Sequence, residues 1–462
     1  MAEAARAGDV VPALVFDPAT RDRIGASPRR AAFYCGAVES LRKSLEERGA
    51  KLVVRRGPLA VTARALARDV GAETVAFSSG YDAESTKRQR ALQARLEEAG
   101  LRALAVHDAP AVAPEETAAA RSADGGVGYR ALVPYLSAWQ ESVPEPVTSR
   151  PRFVSADVSS DLPPVATEFG AVAVEEPPSE ARALEALERY LAGPALLYRL
   201  ERNVPGGERT SHLAADLSFG TIAARTVVAE TAKRERDPFL LAEERLSLKT
   251  FRLAVAHRDF FFQLAWFFET REDAPLQQRM RGFPFVTKHA SLKAWREGRT
   301  GYPLVDAGMR ELRATGWMHP RVRAIAASFL CFDLGVHWRV GRDTFEGLLI
   351  EDDPALANGN WQWIAGVGAD LAQFPRIYNP QKQARSYDPR GAYVRAWLPE
   401  LAALPDADVL DPSAGSRRPQ LALPLYDEGA RYPQPVVDHG TAARAFLQRY
   451  ADFTAGAKSE RH

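Results

Sequence analysis

Between residues 10 and 106, short apolar runs alternate with stretches of helical period, and beyond residue 180 the strand-like runs stop. This change of period constrains the fold more than any other feature. Strands separated by helices of this length pair in parallel, with helices covering the faces of the sheet. The runs are residues 10–16 (VVPALVF), 51–55, 74–78 and 101–106, and helices are predicted over 29–49, 58–71 and 83–100. A doubly wound sheet normally has more chain before this point, so one edge or central strand is expected to be missing.

The remainder divides in two. Residues 150–180 are rich in Pro, Ser and Val and hold no stable period, as in ordered segments that wrap from one domain to the next. From residue 180 to about 450 the apolar spacing is helical, with stops at Gly193-Pro194, Gly282, Gly301, Gly316 and Gly341. The expected fold is a Rossmann-like α/β domain over 1–128, a linker over 129–180 and a larger all-α domain over 181–455.

Composition excludes several functions. Sixty Lys+Arg stand against 59 Asp+Glu, which rules out a charge-driven, histone-like binder. Two cysteines, Cys35 and Cys331, cannot build a disulfide framework, a four-Cys zinc site or an iron–sulfur cluster, so no metal centre is expected. No apolar run reaches the ~20 residues of a membrane helix, and MAEAARAGDVV has no signal core. A cytoplasmic location follows as the expectation.

The chemistry-bearing stretches lie in the helical part. They are W-R-E-G-R-T-G-Y-P-L-V-D-A-G-M-R from Trp295, T-G-W-M-H-P-R-V-R from Thr315, H-W-R-V-G from His337 and N-G-N-W-Q-W-I-A-G-V-G-A-D from Asn358. The last is R-I-Y-N-P-Q-K-Q, followed by Y-D-P-R-G-A-Y-V-R-A-W-L-P-E-L. At these residues the chain resembles the photolyase/cryptochrome family of blue-light flavoproteins. The resemblance spans nearly the whole chain and implies an all-α FAD-binding domain behind the α/β domain.

It also implies the cofactor residues. Tyr198 opens the flavin-binding segment, and Thr210, Ser211, His212, Leu213 and Ala214 occupy its phosphate-cradle positions. Hydroxyls and backbone N–H groups at a helix start suit a pyrophosphate; a plain Thr-Ser helix cap is the alternative. The family usually has Arg at 212 and Ser at 214, so the cradle lacks one charge and one hydroxyl. Glu351, Asp352 and Asp353 match the acidic segment beside the flavin, Arg323 the cation that pairs with its first acid, and Arg258 a second flavin-side cation. Ala357 stands where a polar group faces the flavin ring, next to Asn358.

Trp361 and Trp338 match the inner two members of the family's electron-transfer chain, with the family's interval between them. The outermost position is Phe285, which is much harder to oxidise, so the route is expected to stall or divert; Trp317, Trp363 and Trp397 are the candidates for a detour. Taken singly, each indole would be read as core packing.

The resemblance also exposes losses. Where dimer-repairing members have a Glu that bonds the lesion and a Trp that stacks on it, this chain has Ala254 and His257. The Asn of M-H-N-R is Pro320, and the acid after Arg258 is Asp259 instead of Glu. Each lost hydrogen-bonding group is worth roughly 1–3 kcal/mol, and lost stacking about as much. The expected function is therefore a blue-light-absorbing flavoprotein with impaired dimer repair, cryptochrome-like and signalling to a protein partner. The alternative is a functional deoxyribodipyrimidine photolyase. DNA contact stays in view, because residues 276–342 hold 12 Lys+Arg against four Asp+Glu, and Arg202, Arg321 and Trp363 match family DNA-contact positions. The Arg-rich opening strand that helps hold the family's antenna chromophore has no counterpart here, which weakens the case for a second chromophore.

Overall fold

The structure is a computed structural model that describes all residues except 1, 7, 123–126, 144–150, 171–175, 208, 269–273, 370–374, 416–431 and 460–462. Parts of the expected linker and Asp370 of the N-G-N-W stretch therefore lie outside the described residues. The chain forms two compact units that do not follow the sequence division at 128 and 180. The first is 1–199 with 211–270 and 349–356; the second is 200–210 with 271–348 and 357–462.

In the first unit the four expected strands are β1 (Ala13–Phe16), β2 (Val53–Arg56), β3 (Thr74–Ser78) and β4 (Arg102–Val106). All pairings are parallel, β1 with β2 from Ala13↔Val53 and β3 with β4 from Thr74↔Arg102. Among the described residues they make two separate two-stranded sheets instead of one. Among the described residues no strand joins β1 to β3. The effect shows in burial: parallel strands are usually covered on both faces, yet no residue of β3 or β4 is fully buried.

The connecting segment is ordered where it is described, and it lies along β1 and β2. Val10, just ahead of β1, exchanges backbone bonds with this segment at 3.0 Å (Val10 N to Arg152 O, Val154 N to Val10 O). Val54 N donates to Ser160 Oγ, Arg56 pairs with Glu168 at 2.8 Å, and Phe169 stands edge-on to Phe16. The expected linker range also contains a helix, Leu132–Ser142, which buries Tyr135, Ala138 and Trp139.

The spine of this unit is the 26-residue helix Ala242–Phe267. It buries Leu248, Phe251, Val255, Ala256, Asp259, Phe260 and Leu264, a stripe repeating every three to four residues. The helices Glu180–Ala192 and Ala224–Glu235 belong to the same unit.

The second unit is built on the helices Pro303–Thr315, Pro320–Ser328, Trp338–Glu346 and His439–Ser459. Its T-G-Y-P-L-V-D stretch is a bracket. Buried Asp306 accepts from Thr300 N and Oγ1, from Gly301 N and from the Tyr432 hydroxyl. Gly301, at φ 81°, makes the turn that this requires. A buried π-turn, Phe329–Asp333, continues the 320–328 helix. Its Asp333 meets His439 at 2.5 Å, tying down the C-terminal helix, and its Phe332 packs on Phe446. Both cysteines are free and buried.

Candidate functional site

The acidic segment of the first unit is held by cations from the α/β region. Arg30 follows Ser27 at the start of the helix Pro28–Glu46 and is only 2% exposed. Its guanidinium donates to the carbonyls of Leu349, Ile350, Glu351 and Arg23, and lies 3.6 Å from Asp352 Oδ1. Arg23 grips the other oxygen of Asp352 at 3.0 and 3.1 Å, and Ser218 Oγ accepts the Asp352 N–H. Asp353 has Arg258 at 3.8 Å, and burial still pushes its carboxyl above the ordinary range.

Arg258 also donates to the carbonyls of Ala109 and Leu217 and covers the Phe262 ring. Arg23 and Arg30 were not singled out from the sequence. For Arg30 the signal was its place in S-P-R-R at a helix start, which reads as solvated until burial is known, and Arg23 carried no such signal.

Of the phosphate-cradle residues, Ser211 to Leu213 precede the short helix Ala214–Phe219 and Ala214 opens it. Its N-cap is Leu213, with no side-chain capping bond, so Thr210 and Ser211 do not serve as a plain helix cap. His212, at φ 54°, is the one non-glycine residue with a positive φ among those described. Asp216 anchors this helix through Arg182 and Thr221 Oγ1. Tyr198 sits edge-on to Phe251 at 5.4 Å. On the long helix, Ala254, His257 and Phe261 share one stripe, and the His257 ring stacks on Phe261 at 5.4 Å and 26°.

In the second unit, Trp338 is fully buried and Trp361 5% exposed. Trp338 opens the 338–346 helix and Trp361 lies against it: a Cβ at Gly341 would fall 2.2 Å from the Trp361 ring, so this position admits only glycine. The rings next to Trp361 are Phe345 at 5.0 Å and Trp295 at 6.5 Å. Trp295 was missed as a neighbour, and Trp317 instead faces His319. Trp338 carries the Arg342 guanidinium over its ring at 5.4 Å, and its Nε1–H is buried without an acceptor among the described residues. Phe285 occupies an aromatic nest with Phe283, Phe446 and His337.

Asn358 is buried, and its oxygen accepts from Arg342 Nη1 at 3.1 Å. Arg323 donates to Met318 O and has Glu311 as a nearby acid. Arg321 bonds Asn203 and lies over Tyr378 and Tyr387, while Arg202 and Pro320 are exposed.

His337 links this nest to Trp338. Its Nδ1 accepts the Arg339 N–H, and its ring lies 5.3 Å from that of Trp338. Burial, then the cations Arg339 and Arg342, lower its pKa from 6.5 to about 4. A depressed folded-state pKa means the stabilisation is complete above 6.5 and is lost as pH falls toward 4. His337→Gln is expected to flatten this part of the stability–pH curve in urea titrations, and an unchanged curve would refute the assignment.

Comparison with known proteins gives the family. Residues 251–452 match the model described as the FAD binding domain of DNA photolyase, and residues 1–152 the DNA photolyase model. The deoxyribodipyrimidine photo-lyase of Halobacterium salinarum is 33% identical over 431 residues, covering 90% of this chain and 86% of that protein. Cryptochrome DASH of Gloeobacter violaceus is 34% identical over 449 residues, 90% of this chain and 84% of that one. A class III photolyase structure from Agrobacterium tumefaciens matches with a TM-score of 0.82 at 28% identity, covering 97% of this chain and 92% of its own.

The chain belongs to the photolyase/cryptochrome family. Within that family it is an FAD-binding protein. The left-handed turn at His212 leads into a helix that the side chain of its N-cap residue, Leu213, does not cap, an arrangement compatible with a phosphate-bearing cofactor. Among the described residues no cluster of His, Cys, Asp or Glu could hold a metal, and no helix is long and apolar enough to cross a membrane.

Proposed function

We propose that this chain is a light-driven FAD electron-transfer protein whose lesion-reading groups are gone. The observation that carries the reading is the stripe on the long helix: Ala254 offers no hydrogen-bonding side chain, and the His257 ring is already stacked on Phe261. Pro320 adds a third loss, since its ring carries neither an amide nor a polar side chain.

Tyr198, Thr210, Ser211, His212, Leu213 and Ala214 would hold the phosphate end of FAD; Arg258, Arg323, Glu351, Asp352, Asp353, Ala357 and Asn358 would flank the ring. Bound FAD supplies a chromophore that exchanges single electrons when excited by blue light. Trp361 would be the first electron donor of this chain and Trp338 the second. A hole on Trp338 is disfavoured by the Arg342 cation above its ring and by an N–H that has no acceptor among the described residues to take its proton. With Phe285 beyond it, transfer outward along this route is expected to be poor. Trp361→Phe is expected to remove most of the flavin photoreduction rate, followed by absorbance under blue light; an unaffected rate takes Trp361 off the path.

A second reading, a working dimer photolyase, is favoured by the exposed Arg279, Arg281, Lys288 and Lys293, which suit a phosphate backbone. It is also the activity named for the Halobacterium relative. Anaerobic illumination of the flavin-loaded protein with dimer-containing single-stranded DNA separates the two. The proposed function expects no recovery of base absorbance, and catalytic recovery would overturn it in favour of repair.

A further inference from the structure

Past the carboxyl ends of β3 and β4, the first unit assembles a group that the flavin and tryptophan residues do not include. Tyr81 is 7% exposed, and its hydroxyl lies 2.7 Å from His107 Nδ1. The other ring nitrogen, Nε2, lies 3.3 Å from Glu115 Oε2, and Glu115 is half exposed. Trp266 stands edge-on to the His107 ring at 4.7 Å and 6.0 Å from the Tyr81 ring. Phe262 lies against Tyr81 at 4.7 Å and carries the Arg258 guanidinium on its ring.

We propose that Tyr81, His107 and Glu115 form a proton-coupled redox relay, in which Tyr81 reduces an oxidised Trp266 and passes its phenolic proton outward through His107. The step balances. The oxidised indole takes one electron from Tyr81 and returns to neutral Trp266. The O–H bond of Tyr81 breaks, its proton joins His107 Nδ1, and the resulting imidazolium gives the proton on Nε2 to the Glu115 carboxylate. What remains is a neutral tyrosyl radical. The oxidant that starts the sequence is a one-electron photo-oxidant of the flavin class; for this light-fed input alone the relay rests on the proposed function.

Three features select this use over simple packing. The 2.7 Å contact is within reach of direct proton transfer. Burial disfavours a free phenolate, raising the Tyr81 pKa above the ordinary value, so oxidation must move the proton together with the electron. Burial also outweighs Glu115, Asp108 and Glu116 and lowers the His107 pKa, leaving a neutral ring with a vacant Nδ1 lone pair at neutral pH. From phenol to imidazole to carboxylate, exposure rises in steps toward water, which gives the proton a direction.

The test uses flavin-loaded protein and two oxidants: blue light, and azide radicals from pulse radiolysis, which need no flavin. With either, a tyrosyl signal in EPR and near-ultraviolet absorbance is expected to grow as a tryptophanyl signal decays, more slowly in D2O. Tyr81→Phe and Trp266→Phe are each expected to abolish this growth while FAD content stays unchanged, and His107→Gln to slow it and remove the D2O effect. Identical azide traces for wild type and Tyr81→Phe would overturn the relay. Growth under azide but none under light would keep the relay and overturn its light-fed input, separating its failure from that of the proposed function.

Discussion

Arg30→Met is expected to destabilise the protein by about 3–5 kcal/mol, the usual consequence of removing one partner of a buried charge pair. It should also lower the FAD retained on purification. The expectation follows from what the guanidinium holds. Its N–H groups serve four carbonyls, three of them in the segment 349–351, and its charge faces Asp352. Methionine fills much of the volume but donates nothing, so carbonyls of a half-buried segment lose this donor together, and Asp352 keeps Arg23 as its cation among these two. Urea titration gives the loss directly. Arg68→Met is the control: that side chain is 80% exposed, with Asp69 at 3.8 Å, and its removal should change stability by less than about 0.5 kcal/mol. Equal effects of the two substitutions would show that Arg30 is not a clamp.

This clamp marks the boundary of what the sequence makes legible. Strand positions could be read because each run is short, apolar and closed by a turn signal, as Asp17-Pro18 closes β1. Joining the strands into one sheet could not be read, because it depends on pairing between residues far apart, and the two separate pairs overturn that part of the expectation. The helix Leu132–Ser142 was hidden by Pro134, a residue tolerated only because it sits in the first turn, where its missing N–H is not needed.

Among the motifs, the letters that identify the family are partly scaffold. Asp306 and Asp388 bracket turns through backbone N–H groups, and Arg310 of the first motif pairs with Glu400 of the last at 2.6 Å. Trp295 lies beside Trp361 although 66 residues separate them in the chain, a proximity that no local period encodes. The burial of Arg30 and of Asp259 is hidden for the same reason. Charged residues are read as exposed unless something in the chain says otherwise, and the burial of these two is decided by distant segments.

Asp259 yields the sharpest contrast between two substitutions at one position. It is 1% exposed, and a single oxygen, Oδ2, accepts three donors: Ala111 N at 2.9 Å, Val112 N at 3.2 Å and Trp139 Nε1 at 2.9 Å. The other oxygen is buried without a partner among the described residues, 3.9 Å from Arg258. Asp259→Ala therefore orphans three buried N–H groups and is expected to lose about 3–5 kcal/mol. Asp259→Asn can place its amide oxygen where Oδ2 was, satisfy the same three donors and leave its NH2 at the unpartnered position. It is expected to lose less than half as much.

The pH dependence gives a second check. Desolvation raises the Asp259 pKa from 3.8 to about 6 against the opposing pull of Arg258 and the three donors. A raised folded-state pKa favours the native state fully below 3.8, and this contribution is lost as pH rises toward 6. Because asparagine does not titrate, Asp259→Asn should erase that slope, while Trp139 fluorescence reports whether its indole bond survives. Equal destabilisation by Ala and Asn would mean that Asp259 holds this segment by charge and not through its three hydrogen bonds, and a slope that persists in Asp259→Asn would belong to another group.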